Sequence, residues 1–189
     1  KAAINAALEV YNNPEGMEGF DEAVQMLDDA IEEFVENVIN TIGKIVIITL
    51  SGDGTVESGG TYTAPLSIDM PEETAYAVHA QDITITFDPD IFEFTGTDNV
   101  RDGVFVQIDS DTAGTVRILI VSLGTENAIS SDSPLLDLVF TAKDVPTTES
   151  SILITEAIVA DGEGNEKEAE TNSIDKVLVI RINEDINGD

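Results

Sequence analysis

Residues 82–94 read "DITITFDPDIFEF". Ile83, Ile85 and Phe87 alternate with Asp82, Thr84 and Thr86, the period of two that belongs to a strand with one face in a core and the other in water. Asp88-Pro89 turns the chain at its end. The same signature recurs on both sides, in "KIVIITL" (44–50), "TYTAPLSI" (61–68), "VFVQID" (104–109), "TVRILIVSL" (115–123), "LLDLVFTAK" (135–143), "SILITEAIVA" (151–160) and "VLVIRI" (177–182). Gly, Asp, Asn and Pro separate these segments, and no helical pattern falls between them. Eight such strands indicate an antiparallel sandwich or barrel, and length and connectivity favour the sandwich.

Before Lys44 the period is different. In "GFDEAVQMLDDAIEEFVENVINTIG" (19–43), Phe20, Val24, Leu27, Ile31, Phe34 and Val38 advance by four and three, which lines one apolar stripe along a helix. Ile4, Leu8 and Tyr11 form a shorter stripe upstream, closed by the helix-breaking "NNPEG". A helical hairpin is expected over 1–43 and the β unit over 44–183. Two helices leave the stripe poorly covered; its length, about three heptads, favours intramolecular packing over a coiled-coil seam.

Composition narrows function. The chain has 189 residues, with 38 acidic against 8 basic side chains and a net charge of −30. Such a field repels nucleic acid and anionic membrane surfaces, which recruit clustered Lys and Arg. Cysteine is absent, so disulfides and thiol chemistry are excluded. No apolar run approaches the 18 or more residues of a membrane span, and membrane insertion is not expected. His79 precedes a strand with no nucleophile in view, and carboxylates are too abundant for any one pair to signal glycosidase chemistry. No catalytic residue is assigned. "DGEGNE" (161–166) and "DSDTAGT" (109–115) space oxygens as a calcium loop would, but both read as β-turns because the closing bidentate Glu is missing. Trp is absent, and Tyr62 and Tyr76 are the only tyrosines of the β unit, so a platform for stacking sugars is not expected and carbohydrate binding is unlikely.

The β unit resembles a cohesin module, the receptor half of the cohesin–dockerin pair of cellulosomes and bacterial multimodular glycosidases. The resemblance runs from about Ile45 to Ile182. It rests on the order of "SGDGTVESGGTYTAPLSI", "DITITFDPDIFEF", "GTVRILIVSLG", "PLLDLVFTAK" and "ITEAIVADGEGNE". It implies a jelly-roll sandwich without cofactor that binds a dockerin-bearing partner outside the cell, either secreted or at the cell surface. It places the contact on the outer face of the strands "SILITEAIV", "DITITFD", "TVRILIVSL" and "VFVQID". Alternation then selects Leu119 and Val121 as the apolar centre, with Thr84, Thr86, Gln107 and Arg117 as the polar surround and Phe105 joining if it also points outward. A carbohydrate-binding sandwich and a spacer module are the alternatives.

The flanks are similar to known companions of cohesins. The hairpin resembles FIVAR repeats, which accompany such modules in secreted carbohydrate-active enzymes. "DINGD" resembles the first residues of a dockerin calcium loop, with Asp185, Asn187 and Asp189 at ligand positions 1, 3 and 5 and the rest missing. The chain is therefore expected to be a piece of a longer protein, 184–189 opening a truncated dockerin whose calcium lies in that adjoining module. The resemblance implies a parent protein that carries a glycoside hydrolase domain.

Overall fold

The computed structural model describes residues 24–25, 27–31, 45–70 and 77–182. The chain divides into two units, Lys1–Lys44 and Ile45–Asp189. The described residues of the first unit are helical. Leu27 is half-buried, while Val24 and Ile31 stay exposed on the apolar stripe. The rest of the hairpin, and Asp185, Asn187 and Asp189, lie outside the described residues.

The second unit is a sandwich. Among the described residues it has twelve strands: β1 (Ile47–Leu50), β2 (Thr55–Glu57), β3 (Thr61–Asp69), β4 (Ala80–Phe87), β5 (Phe92–Asp98), β6 (Val104–Asp109), β7 (Thr115–Ser122), β8 (Ser133–Ala142), β9 (Thr148–Ala160), β10 (Glu166–Glu168), β11 (Glu170–Asn172) and β12 (Ile174–Ile180). One sheet runs β11-β1-β3-β8-β5 and the other β2-β12-β9-β4-β7-β6, with β10 also paired to β9. The inward residues of β3 (Tyr62, Ala64, Leu66, Ile68) and β8 (Leu136, Leu138, Phe140) meet those of β4 (Ile83, Ile85), β7 (Val116, Ile118, Ile120) and β12 (Val177, Val179) in one core. Phe140 holds Phe87, Phe92 and Phe94 edge-on at 5.2–6.2 Å between ring centres.

All eight periodic segments form strands, but four others carry no such signal. β2, β10 and β11 have three residues each, too few to show a period. β5 is a separate strand on the opposite sheet from β4, paired with β8, and its bulge at Thr95 leaves "FEFTGTD" without a sustained alternation. Nor is the sandwich wholly antiparallel: β1 pairs with β11, and β2 with β12, in parallel. These pairs join segments more than a hundred residues apart, which turn chemistry cannot announce.

Four register shifts interrupt the ladders among the described residues; one lies between β12 and β9, near Ile174–Val177, and the other three adjust the alternation as follows. Leu135 and Leu136 are both buried because the β3–β8 register slips between Leu66 and Ser67, leaving Leu135 as the extra residue. Thr95 is the extra residue in β5 and gives its hydroxyl to the Val139 carbonyl at 3.0 Å. Thr155 is extra in β9, which leaves Thr155 and Glu156 both exposed. Pro65 sits within β3 at no cost to the ladder. Its carbonyl accepts from Ser51, the residue just after β1 ends, so its missing amide faces the side where the neighbouring strand has run out.

Candidate dockerin-binding face

Register defines the outer face of the larger sheet. On β4 the inward series is Gln81, Ile83 and Ile85, all fully buried, so Ala80, Asp82, Thr84 and Thr86 point outward. Val116, Ile118 and Ile120 go inward on β7, leaving Arg117, Leu119 and Val121 outward. On β6, Val104, Val106 and Ile108 pack against the core, so Phe105, Gln107 and Asp109 face solvent.

Pairing then lines these residues in rows across β6, β7, β4 and β9. The first row is Phe105, Val121, Ala80 and Ala160; the second is Gln107, Leu119, Asp82 and Ile158; the third is Asp109, Arg117, Thr84 and Glu156. Thr86 follows opposite Thr115 and Leu153. All six residues chosen from the sequence, Thr84, Thr86, Gln107, Arg117, Leu119 and Val121, thus lie on one face of one sheet, within four contiguous strands.

Three features of the face escaped the sequence reading or were left conditional. Phe105 does point outward, is 53% exposed and pairs directly with Val121. Leu123, 57% exposed, continues the outward series of Leu119 and Val121, and its amide extends the β6–β7 ladder to the Gly103 carbonyl at 2.8 Å. Alternation carries the signal for both, since Phe105 has the parity of Gln107 within "VFVQID" and Leu123 that of Leu119 and Val121 within "TVRILIVSL". Arg117 is not a free polar neighbour. Its guanidinium grips Asp82 with two of its three nitrogens, Nε at 2.8 Å from Oδ1 and Nη2 on Oδ2. That bond holds the Asp82 carboxyl below its usual range, against a smaller opposing effect of burial. It also raises the guanidinium, helped by the nearby charges of Glu156 and Asp109.

The remaining sequence candidates have structural duties. Asp161 closes the 161–165 turn: its carboxylate accepts the amides of Glu163 and Asn165 at 2.9 Å and the Asn165 side-chain amide at 2.8 Å. These bonds, led by the Asn165 side chain, hold its carboxyl low. In 109–115, Asp109 accepts from the amide of Asp111 at 3.1 Å within the β6–β7 turn. Among the described residues no group of three or more acidic or histidine side chains could hold a metal ion. Tyr62 is 2% exposed and packs on Phe92, and its hydroxyl donates to the Asp53 carbonyl at 2.8 Å, so its ring is not open to a sugar. His79 stands at the start of β4, its ring against Gly162. No helix among the described residues is long and apolar enough to cross a membrane.

A jelly-roll sandwich presenting a mixed apolar and acidic sheet face is the architecture of a binding module. The cohesin-domain family model matches residues 48–180, and the chain belongs to that family. Comparison with curated proteins returns no match. Among solved structures the chain is similar to the cohesin module of a Clostridium perfringens family 33 glycoside hydrolase, with 25% identity, 74% of this chain and 99% of that one covered, and a TM-score of 0.66. It shares its fold with a type I cohesin from Clostridium thermocellum solved with its dockerin (19% identity, 72% and 100% covered, TM-score 0.60). The sixth scaffoldin B cohesin of Acetivibrio cellulolyticus, solved with a Cel5 dockerin, has the same fold (17% identity, 72% and 99% covered, TM-score 0.60).

Proposed function

We propose that residues 44–183 form a non-catalytic receptor that binds a dockerin on the β6–β7–β4–β9 face and so assembles secreted carbohydrate-active enzymes. The observation that carries this reading is the apolar group in which exposed Phe105 stands beside half-buried Val121, with half-buried Leu119 next along β7, on a protein of strongly acidic composition. Leu119, Val121 and Phe105 supply the desolvated centre; Gln107, Thr84, Thr86 and Arg117 surround it. Solved relatives that carry dockerins share the fold. In the parent protein the module follows a FIVAR-like hairpin over 1–43 and precedes a dockerin whose calcium loop opens with Asp185, Asn187 and Asp189. The calcium belongs to that neighbour and not to the sandwich. The similarity to FIVAR and dockerin patterns supports this order, an extracellular setting and a glycoside hydrolase elsewhere in the parent.

The test is calorimetry or pull-down with calcium-loaded dockerins, comparing wild type with Leu119→Asp. Leu119 is only partly buried, so the variant should keep its fold by circular dichroism. A charge placed in the apolar centre should weaken binding by about 1–4 kcal/mol, the usual cost of losing a central anchor. Unchanged binding by a folded Leu119→Asp would move the interface elsewhere. Failure of the wild type to bind any dockerin would overturn the function.

A further inference from the structure

On β6 and β7 the apolar residues of this face gather at one end of the strands and the charged ones at the other. The apolar end is a column on β7, Leu123, Val121 and Leu119, with Phe105 beside it on β6. From Leu123 to the row of Arg117 is six residues, about 20 Å of strand. At that far end stand Asp109 and Glu156, with Asp82 one row nearer. Glu166 and Glu168, paired with Ala160 and Ile158, stand level with the first and second rows, so on β10 an acidic margin runs beside the apolar end, four strands across the sheet from Phe105.

Against these carboxylates the three rows hold one cation among the described residues, Arg117, and it is spent on Asp82. Asp109 and Glu156 flank it with no ion pair of their own among the described residues. The acids do not chelate either, since no three come together as a metal would require. Each is a separate negative charge beside a surface that must be desolvated on binding, and separate charges are best met by separate cationic side chains. An acidic partner would instead meet repulsion from the whole face.

Resting on the dockerin-binding reading above, we infer that the cognate partner is a dockerin with a divided contact surface: apolar side chains that seat on Phe105, Val121 and Leu123, and Lys or Arg side chains that reach Asp109 and Glu156. The acidic end steers the encounter and fixes which way round the dockerin lies. The apolar end sets how long it stays.

The experiment uses a panel of calcium-loaded recombinant dockerins, graded from acidic to basic on their surface, and measures association rates and Kd in low and in high salt. Basic dockerins should bind, and their association should slow by about tenfold or more as salt screens the face. Asp109→Lys with Glu156→Lys should cut association at low salt by about tenfold and change little at high salt. The control pair Glu93→Lys with Asp98→Lys makes the same change in net charge on the opposite sheet and should leave the rate within about twofold. If both pairs act equally, only the overall charge matters and the inference is wrong. It is equally wrong if dockerins bind without regard to their charge or to salt. Binding abolished by Leu119→Asp but untouched by the lysine pair would refute this inference while sustaining the dockerin-binding function; no binding by any dockerin would remove both.

Discussion

Gln81 is where this sandwich should be improvable. Its side chain points into the core from β4, between Ile120 of β7 and Val159 of β9, with no exposed surface. Neither its amide oxygen nor its nitrogen has a hydrogen-bond partner among the described residues. A buried polar group without a partner costs about 1–3 kcal/mol, the desolvation penalty that no bond repays. Gln81→Met keeps the unbranched shape and nearly the length while removing that penalty, so the gain should be about 2 kcal/mol. For a protein of this size that raises Tm by roughly 4–8 °C. Gln81→Ala is the control: it also removes the amide but leaves a void, and should stabilise less than Met or destabilise. Denaturant melts followed by circular dichroism give the free energies, and the slope should stay constant if only the native core has changed. A Gln81→Met protein no more stable than wild type would show that the amide is satisfied in solution, by an enclosed water or a neighbouring group, and would refute the reasoning.

Tyr62 carries a pH dependence of definite sign. Burial first, and the Asp53 charge second, push its hydroxyl up to about 12 from 10.0, so the neutral phenol is the form the fold favours. Its contribution is fully present below pH 10 and is lost as pH rises towards 12. Tyr62→Phe should cost about 1 kcal/mol at neutral pH through the lost bond to the Asp53 carbonyl, and should flatten the alkaline limb of a stability–pH curve. Gly114 turns the chain between β6 and β7 at φ +75°, and an added Cβ would lie 2.7 Å from the Phe87 carbonyl oxygen. Gly114→Ala should therefore destabilise by about 1–3 kcal/mol in the same melts, and a neutral result would refute the strain argument.

Much of this was legible from parity. "DITITFD" and "TVRILIVSL" name their own buried and outward residues, because every second side chain must leave the core, and the structure keeps that assignment for Thr84, Thr86, Arg117, Leu119 and Val121. What parity cannot give is register between strands. The Asp82–Arg117 pair joins residues 35 apart in sequence and exists because Thr84 falls opposite Arg117, placing Asp82 one step along the same face. Short strands were illegible for a related reason. "TVE", "EKE" and "ETN" are strands through the backbone of their neighbours, and their side chains contribute almost no pattern. The doubled leucines at 135 and 136 break the period within β8, and only the bulge makes both of them interior residues.

The parallel pairs give the sandwich a mechanical character. Suppose residues 45 and 182 are drawn apart, as they would be between neighbouring modules under tension. β1 is then hauled towards its beginning and β11, through β12, towards its end. Because the two strands run the same way, they slide against each other. β2 and β12 are dragged past one another in the same sense. The hydrogen bonds in each pair lie across the direction of pull and must yield together, whereas an antiparallel hairpin pulled from its open end gives up its bonds one at a time. Two short polar stretches without a hydrophobic signature, "TVE" and "ETN", each clamped to an apolar strand, thus stand between tension on the chain and exposure of the core. Proline at Val56 or Glu170, which would delete a bond from one clamp, should lower the force at which a single tethered molecule gives way.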